Sequence, residues 1–229
     1  MEETSNNTII KFDHADIFNK KTLILSKVNL EIKKGEFVYI IGRTGSGKSS
    51  LLKALFADFK VVGNEAQIYD FNLLKLKNKQ IPKLRKKLGI VFQDYQLLTD
   101  RSIYDNLIFV MKATGWKDKK LMQERAKETL EKVGLWTKDF KFPHQLSGGE
   151  QQRACIARAL INNPDVILAD EPTGNLDPIT AEEIFKLLIE LNQNNGTTVL
   201  LATHNFQMID KFPNRTLCIE GNHILDTLA

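Results

Sequence analysis

The sequence predicts an α/β protein built on a mainly parallel sheet, with an antiparallel β lobe and an inserted helical lobe. Three observations predict it. Strand-sized apolar runs alternate with longer helix-period patterns, as in βαβ units. The runs at 37–41, 89–92, 166–169 and 198–202 are bounded by Gly, Pro or polar residues, as strands covered on both faces should be. With 229 residues, 42% hydrophobic and 26% charged, the chain can bury a sizeable core without disulfide staples.

Taken in order, 9–12 and 28–32 alternate apolar with polar residues and are expected to pair antiparallel. The strand 37–41 is followed by a helix over 48–57, and 89–92 is the next covered strand. Helical patterns occupy 119–133 and 148–162, with the strand 166–169 behind them. Over 178–194 Ile184, Phe185, Leu187, Leu188 and Leu191 recur at helix spacing. After the strand 198–202, the runs 215–219 and 223–225 alternate again and are expected to pair antiparallel. From about 95 to 146 apolar strands give way to charged, helical sequence, read as the inserted lobe. With no repeat, linker or low-complexity tract, 1–229 is expected to be one domain.

Composition excludes a disordered chain, a collagen and a disulfide-stapled miniprotein. No run approaches the roughly 18 to 20 apolar residues needed to span a bilayer. Residues 1–8 are acidic and polar, without the basic start and apolar stretch of a secretory signal, so a cytoplasmic chain is expected. Cys155 and Cys218 show no metal spacing and are expected to be buried, reduced thiols. The net charge of +4 implies no nucleic acid by itself. Yet Lys75, Lys77, Lys79, Lys83, Arg85, Lys86 and Lys87 follow one another without an acid. They form either a solvated face or a surface lying near anionic lipid.

Between the strand 37–41 and the following helix stand Gly42, Arg43, Thr44, Gly45, Ser46, Gly47, Lys48 and Ser49, which fit GxxxxGK[ST]. Glycines let successive N–H groups turn inward around phosphate, and the helix N-terminus adds its positive dipole end. Lys48 then reaches phosphate oxygens, Ser49 is left for Mg²⁺, and Ser50 is counted with the loop. The strand 166–169 delivers Asp170 and Glu171 at the sheet edge where open parallel sheets bind ligands. Asp170 is placed to hold Mg²⁺, while Glu171, on the other side of the pleat, is placed to polarise water. Leu146, Ser147, Gly148, Gly149 and Glu150 open the helix 148–162 as a capping box. Two glycines in a first helical turn each cost about 1 kcal/mol relative to alanine. A helix start bare of side chains suits backbone contact with phosphate.

With Leu146 to Glu150 standing where a family signature LSGGQ would, the chain resembles the ATP-binding subunits of ABC transporters. Gln93 after 89–92, Asn175-Leu176-Asp177 after the acidic strand, and His204 after 198–202 complete the set. The resemblance spans nearly the whole chain and implies an ATPase working as a homodimer with two ATP sandwiched between subunits. It implies that Lys48 and Ser49 hold phosphate and Mg²⁺, that Gln93 senses Mg²⁺ and a membrane partner, and that Asp170 sets the metal. Glu171 is then the base, His204 contacts the γ-phosphate, and Asp177 bridges the dimer. Ser147, Gly148, Gly149 and Glu150 would cap ATP on the opposite subunit. Asp177-Pro178 also reads as N-cap and N1 of the next helix, a structural reason sufficient by itself. Phe18 stands where an aromatic would stack on adenine, and equally could fill the core of the small lobe. Asn205 follows His204 where the family usually has Asp.

The stretch Leu97-Leu98-Thr99-Asp100-Arg101-Ser102-Ile103-Tyr104-Asp105-Asn106 looks like the cell-division ATPases of the FtsE type. That branch implies an integral membrane partner of the FtsX type, a peripheral place on the cytoplasmic face of the inner membrane, and control of cell-wall hydrolases. The alternatives are a lipoprotein-release or macrolide-type exporter ATPase and a soluble ABC ATPase acting on nucleic acid. No long insertion separates Lys48 from Ser147, which counts against the last, and no direct nucleic-acid contact is expected.

Overall fold

Two sheets of different construction share one chain in the computed structural model, which describes residues 7–226. The N-terminal stretch read above for a signal therefore lies outside the described residues as far as Asn6. The order is β1 (Thr8–Asn19), β2 (Thr22–Lys33), β3 (Phe37–Gly42), α1 (Lys48–Leu55), β4 (Lys60–Val62), β5 (Glu65–Ile68), β6 (Phe71–Asn72), α2 (Ile81–Lys87) and β7 (Leu88–Val91). There follow α3 (Ile103–Ala113), α4 (Lys119–Lys132), α5 (Gly148–Leu160), β8 (Val166–Asp170), α6 (Pro178–Asn195), β9 (Thr198–Ala202), α7 (Phe206–Lys211), β10 (Arg215–Glu220) and β11 (His223–Asp226).

The larger sheet has the order β11-β10-β3-β9-β8-β7 and is parallel except for β11. Its inner strands β3, β8 and β9, with β7, are largely apolar and buried because both faces are covered, whereas β10 and β11 alternate. In β3, Val38 and Ile40 join a cluster with α1 and the second sheet, while Phe37 and Tyr39 join a cluster with α3 to α6. The two-residue period of the strand thus divides one apolar run between two cores. The antiparallel pairing expected of 215–219 and 223–225 is present, as β10 with β11, but it holds at one edge of β10 only. At its other edge β10 runs parallel to β3.

The smaller, antiparallel sheet has the order β2-β1-β5-β6, with β4 also on β1. β1 and β2 are longer than the alternating runs suggest because register shifts let them bend and continue. His14 and Lys27 carry left-handed φ values of 45° and 48° near these irregularities, as bulges require. Helix starts follow their capping residues: Ser102 on α3, Asp118 on α4, Ser147 on α5 and Asp177 on α6 all accept from first-turn N–H groups.

Of the seven clustered basic residues, three are used within the fold. Arg85 donates to the carbonyls of Phe56 and Ala57, Lys86 to that of Thr114, and Lys87 to Asp70. No helix among the described residues is long and apolar enough to cross a membrane.

Candidate active site

The phosphate loop leaves β3 and turns into α1 between the two sheets. A Cβ on Gly42 would lie 2.5 Å from Ser46 Oγ and 2.7 Å from the Ile219 carbonyl, so only glycine fits. Gly47, at φ 113°, caps α1 in a conformation that side chains avoid, with Leu25 of β2 packed against it. Ser46 Oγ is buried without a hydrogen-bond partner among the described residues. Arg43, Thr44 and Gly45 are exposed. Lys48 is 8% exposed, and its Nζ donates to the carbonyl of Gly42 at 3.0 Å. An ammonium curled back onto its own loop and an unpaired buried hydroxyl together suit a ligand with several strong acceptors, as a polyphosphate has.

Ser49 and Ser50, in the first turn of α1, are half-buried, and Ser49 Oγ donates to Asp170 Oδ1 at 2.9 Å. Burial pushes the Asp170 carboxyl above its usual range, Ser49 opposing this and the Glu171 charge adding to it. A hard, oxygen-ligated cation would relieve that cost, so the donor set fits Mg²⁺.

Glu171 does not continue the pleat. Its φ is 46°, a left-handed turn that ends β8 and costs on the order of 1–3 kcal/mol for a non-glycine residue. Its N–H still bonds the Ala202 carbonyl at 2.9 Å. The turn places its carboxylate 3.7 Å from Lys48 Nζ, with His204 Nδ1 2.8 Å away on the other oxygen. Glu171 lies outside the strand, so the two-residue period of β8 does not set where its carboxylate points. His204 itself remains well exposed.

Gln93, exposed in the loop after β7, has its Nε2 3.4 Å from where a Cβ on Gly174 would stand. It thus sits over the turn that follows Glu171. A cavity of about 820 Å³ is lined by the phosphate loop, His204, Phe206 and Cys218, and one of about 420 Å³ runs from Glu171 to Phe206. Phe18 lies on β1 opposite Leu23, half-buried and outside the lining of both. Cys155 is buried but Cys218 only half-buried, which corrects the expectation for the second thiol.

Leu146, Ser147, Gly148, Gly149 and Glu150 begin α5 as the capping box predicts, Ser147 N–H donating to Glu150 Oε2 at 3.0 Å. Lys138 pairs with Glu150 and holds its carboxyl below the usual range. Packing within the chain already forbids a side chain at Gly149. A Cβ there would meet Thr180 Cγ2 at 2.3 Å, so the glycine lets α5 cross α6 closely. Asp177 accepts from the N–H groups of Ile179 and Thr180 and from Thr180 Oγ1, which lowers its pKa. One residue, Arg158, escaped the sequence reading, and so did the particular bonding state of Ser46 and Asn106. Ser46 is an orphaned hydroxyl. Asn106 is buried and ties Leu98 N–H and carbonyl to α3. Arg158 is a lone charge in the apolar run of α5, the one sequence signal that marks it.

The family model for the ABC transporter matches residues 25–174, which takes in the phosphate loop, the Gln93 loop, the α5 start and the acidic strand. The chain belongs to the ABC transporter family. It is similar to the cell division ATP-binding protein FtsE of Streptococcus pneumoniae serotype 2, 42% identical over 91% of this chain and 90% of that protein. The FtsE of Escherichia coli K12 is 39% identical over 94% of this chain and 97% of that one. Among solved structures, the ATP-binding cassette MJ0796, a dimer in a post-hydrolysis state bound to ADP and Pi, matches with a TM-score of 0.82 at 34% identity. That match covers 94% of this chain and 96% of that one. ABC cassettes of this kind bind and hydrolyse ATP as homodimers alongside a membrane partner, and this chain is an ATPase of the family.

Proposed function

We propose that this chain is the ATPase of an FtsE–FtsX-type complex. Two copies close around two ATP and drive an integral membrane partner of the FtsX type that controls cell-wall hydrolases in division. The chain then lies peripherally on the cytoplasmic face of the membrane and makes no direct contact with nucleic acid. The FtsE relatives and the Leu97 to Asn106 stretch support this branch. The whole chain 1–229 acts as one nucleotide-binding domain.

The observation that carries the chemistry is the meeting of Lys48, the Ser49–Asp170 pair and the Glu171–His204 pair at one sheet edge. Gly42, Arg43, Thr44, Gly45, Ser46, Gly47 and Ser50 cradle the phosphates, and Lys48 exchanges the loop carbonyls for phosphate oxygens. Ser49, Asp170 and Gln93 would hold Mg²⁺, which supplies charge neutralisation on the terminal phosphates. Glu171 takes the proton of the attacking water, and His204, held by that carboxylate, faces the γ-phosphate. Phe18 stacks on adenine. Ser147, Gly148, Gly149 and Glu150 cap the nucleotide of the opposite copy, and Asp177 bridges the two. Ile179, 76% exposed beside Asp177, and Phe206, 58% exposed beside His204, give that junction an apolar component.

Glu171→Gln tests the proposal. The variant is expected to bind ATP, lose hydrolysis by a factor on the order of 100 or more, and remain dimeric. Purified from membranes, it should retain a four-span partner with a large external loop. Retention of a substrate-extracting exporter subunit, or dimerisation on DNA without any membrane partner, would overturn the division reading.

A further inference from the structure

The loop that carries Gln93 continues into two consecutive residues of left-handed backbone, Tyr95 at φ 59° and Gln96 at φ 49°. Neither is glycine, and such a pair persists only where its surroundings over-determine it. The side-chain hydrogen bonds onto their two carbonyls come from α5. Arg158 Nη2 donates to the Tyr95 carbonyl at 2.9 Å, and Nη1 donates to that of Gln96. The Cys155 thiol donates to the same Tyr95 carbonyl at 3.0 Å. The Tyr95 hydroxyl reaches up the helix to Gly148, where a Cβ would stand 3.1 Å from it. Gly148 and Cys155 are seven positions apart on one face of α5, so a single side chain and its own carbonyl are gripped across two helical turns.

Arg158 is half-buried and has no carboxylate within ion-pair distance among the described residues. Its planar fork is devoted to two neighbouring carbonyls, a geometry that a single ammonium reproduces only in part. The opposite end of the same helix, roughly 16 Å away at 1.5 Å per residue, carries Ser147, Gly148 and Gly149.

We propose that Arg158 is a positioning residue for hydrolysis. It holds the 95–96 turn left-handed, so that Gln93 stands over Gly174 in the turn that follows Glu171, and it ties that setting to the placement of the α5 N-terminus. This rests on the role given to Gln93 under the proposed function. Without the fork, the turn relaxes to ordinary backbone and Gln93 leaves the metal side of the site, while Lys48 and the phosphate loop are untouched.

Steady-state hydrolysis by the full chain tests it, comparing Arg158→Gln, Arg158→Lys, Gln93→Ala and the Arg158→Gln/Gln93→Ala double variant. Arg158→Gln is expected to lower kcat about tenfold or more, since small displacements of positioning groups are costly. The Mg²⁺ concentration for half-maximal rate should rise, and affinity for a non-hydrolysable ATP analogue should stay within about twofold, a split that a general loss of structure would not give. Arg158→Lys should recover part of the rate, and it covers the case in which Arg158→Gln does not fold. The double variant should be no slower than Gln93→Ala alone. A normal kcat and Mg²⁺ dependence in Arg158→Gln beside a slow Gln93→Ala overturns the proposal, as does a double variant that multiplies the two losses. A fully active Gln93→Ala overturns the Gln93 role itself and is recognised from that single variant alone.

Discussion

At the scale of single residues, the site is a set of groups held at some cost to the chain and released by the ligand. Asp170 illustrates the sign. Its carboxyl is raised above the ordinary value, mainly by burial, so its contribution to stability is full below the unfolded carboxyl's pKa and is lost as pH rises through the folded value. Asp170→Asn keeps an oxygen for Ser49 and removes the charge. Its thermal midpoint, measured without nucleotide, is expected to lie above wild type at pH 8, the gap narrowing as pH falls toward the normal carboxylate range. A gap that widens in acid would contradict the assignment. Gly149 makes the opposite kind of statement, about space. Gly149→Ala forces a methyl against Thr180 Cγ2 and should cost about 1–3 kcal/mol in chemical denaturation. Adding Thr180→Ser removes that methyl while keeping the hydroxyl on Asp177, and should restore most of the loss.

At the scale of elements, side-chain to backbone bonds fix where the loops stand. Asn106 shows how the Leu97 to Asn106 stretch is used. Its side chain accepts from Leu98 N–H at 2.8 Å and donates to the carbonyls of Leu98 at 3.0 Å and Ser102 at 2.9 Å, so α3 is stitched to the strand-to-helix loop. Asn106→Ala leaves buried backbone groups unpaired, each costing about 1–3 kcal/mol. The expected readout is faster amide hydrogen exchange around Leu98 with the exchange of β3 and β9 unchanged. Uniform loosening of the core strands would show that Asn106 serves the whole fold instead. The motif that points to the FtsE branch thus has a packing role of its own, beside any surface it offers a membrane partner.

At the scale of the molecule, the site in one chain is open. His204 and Phe206 stand at the rim, and the start of α5 is not among the residues lining either cavity at the phosphate loop. In the dimer proposed above, a second copy brings an α5 N-terminus to each loop. Hydrolysis per chain is therefore expected to rise in proportion to protein concentration below the dimer dissociation constant and to level off above it. A specific activity independent of concentration over about a hundredfold dilution below that constant would mean that one chain suffices.

Legibility followed the range over which each signal acts. The phosphate loop, the acidic strand and the α5 capping box are each written in consecutive residues, because strand period, glycine at a turn and an N-cap are local physics. That is why 37–41, 166–169 and 198–202 are legible as strands from sequence, and why the family is recognisable from it. β4, β5 and β6 were not seen, since strands of two to four residues carry almost no period and exist only by pairing with β1 and with each other. The site itself is also a long-range product. Ser49 meets Asp170 across 121 positions and His204 meets Glu171 across 33. The sequence alone determined which chemistry is present and on which kinds of element it rides. Only the tertiary structure decided that Glu171 turns out of its strand toward Lys48, that Gly149 is required by Thr180, and that Arg158 grips the turn after Gln93. Each of these depends on how separate elements pack, which no local pattern of residues encodes.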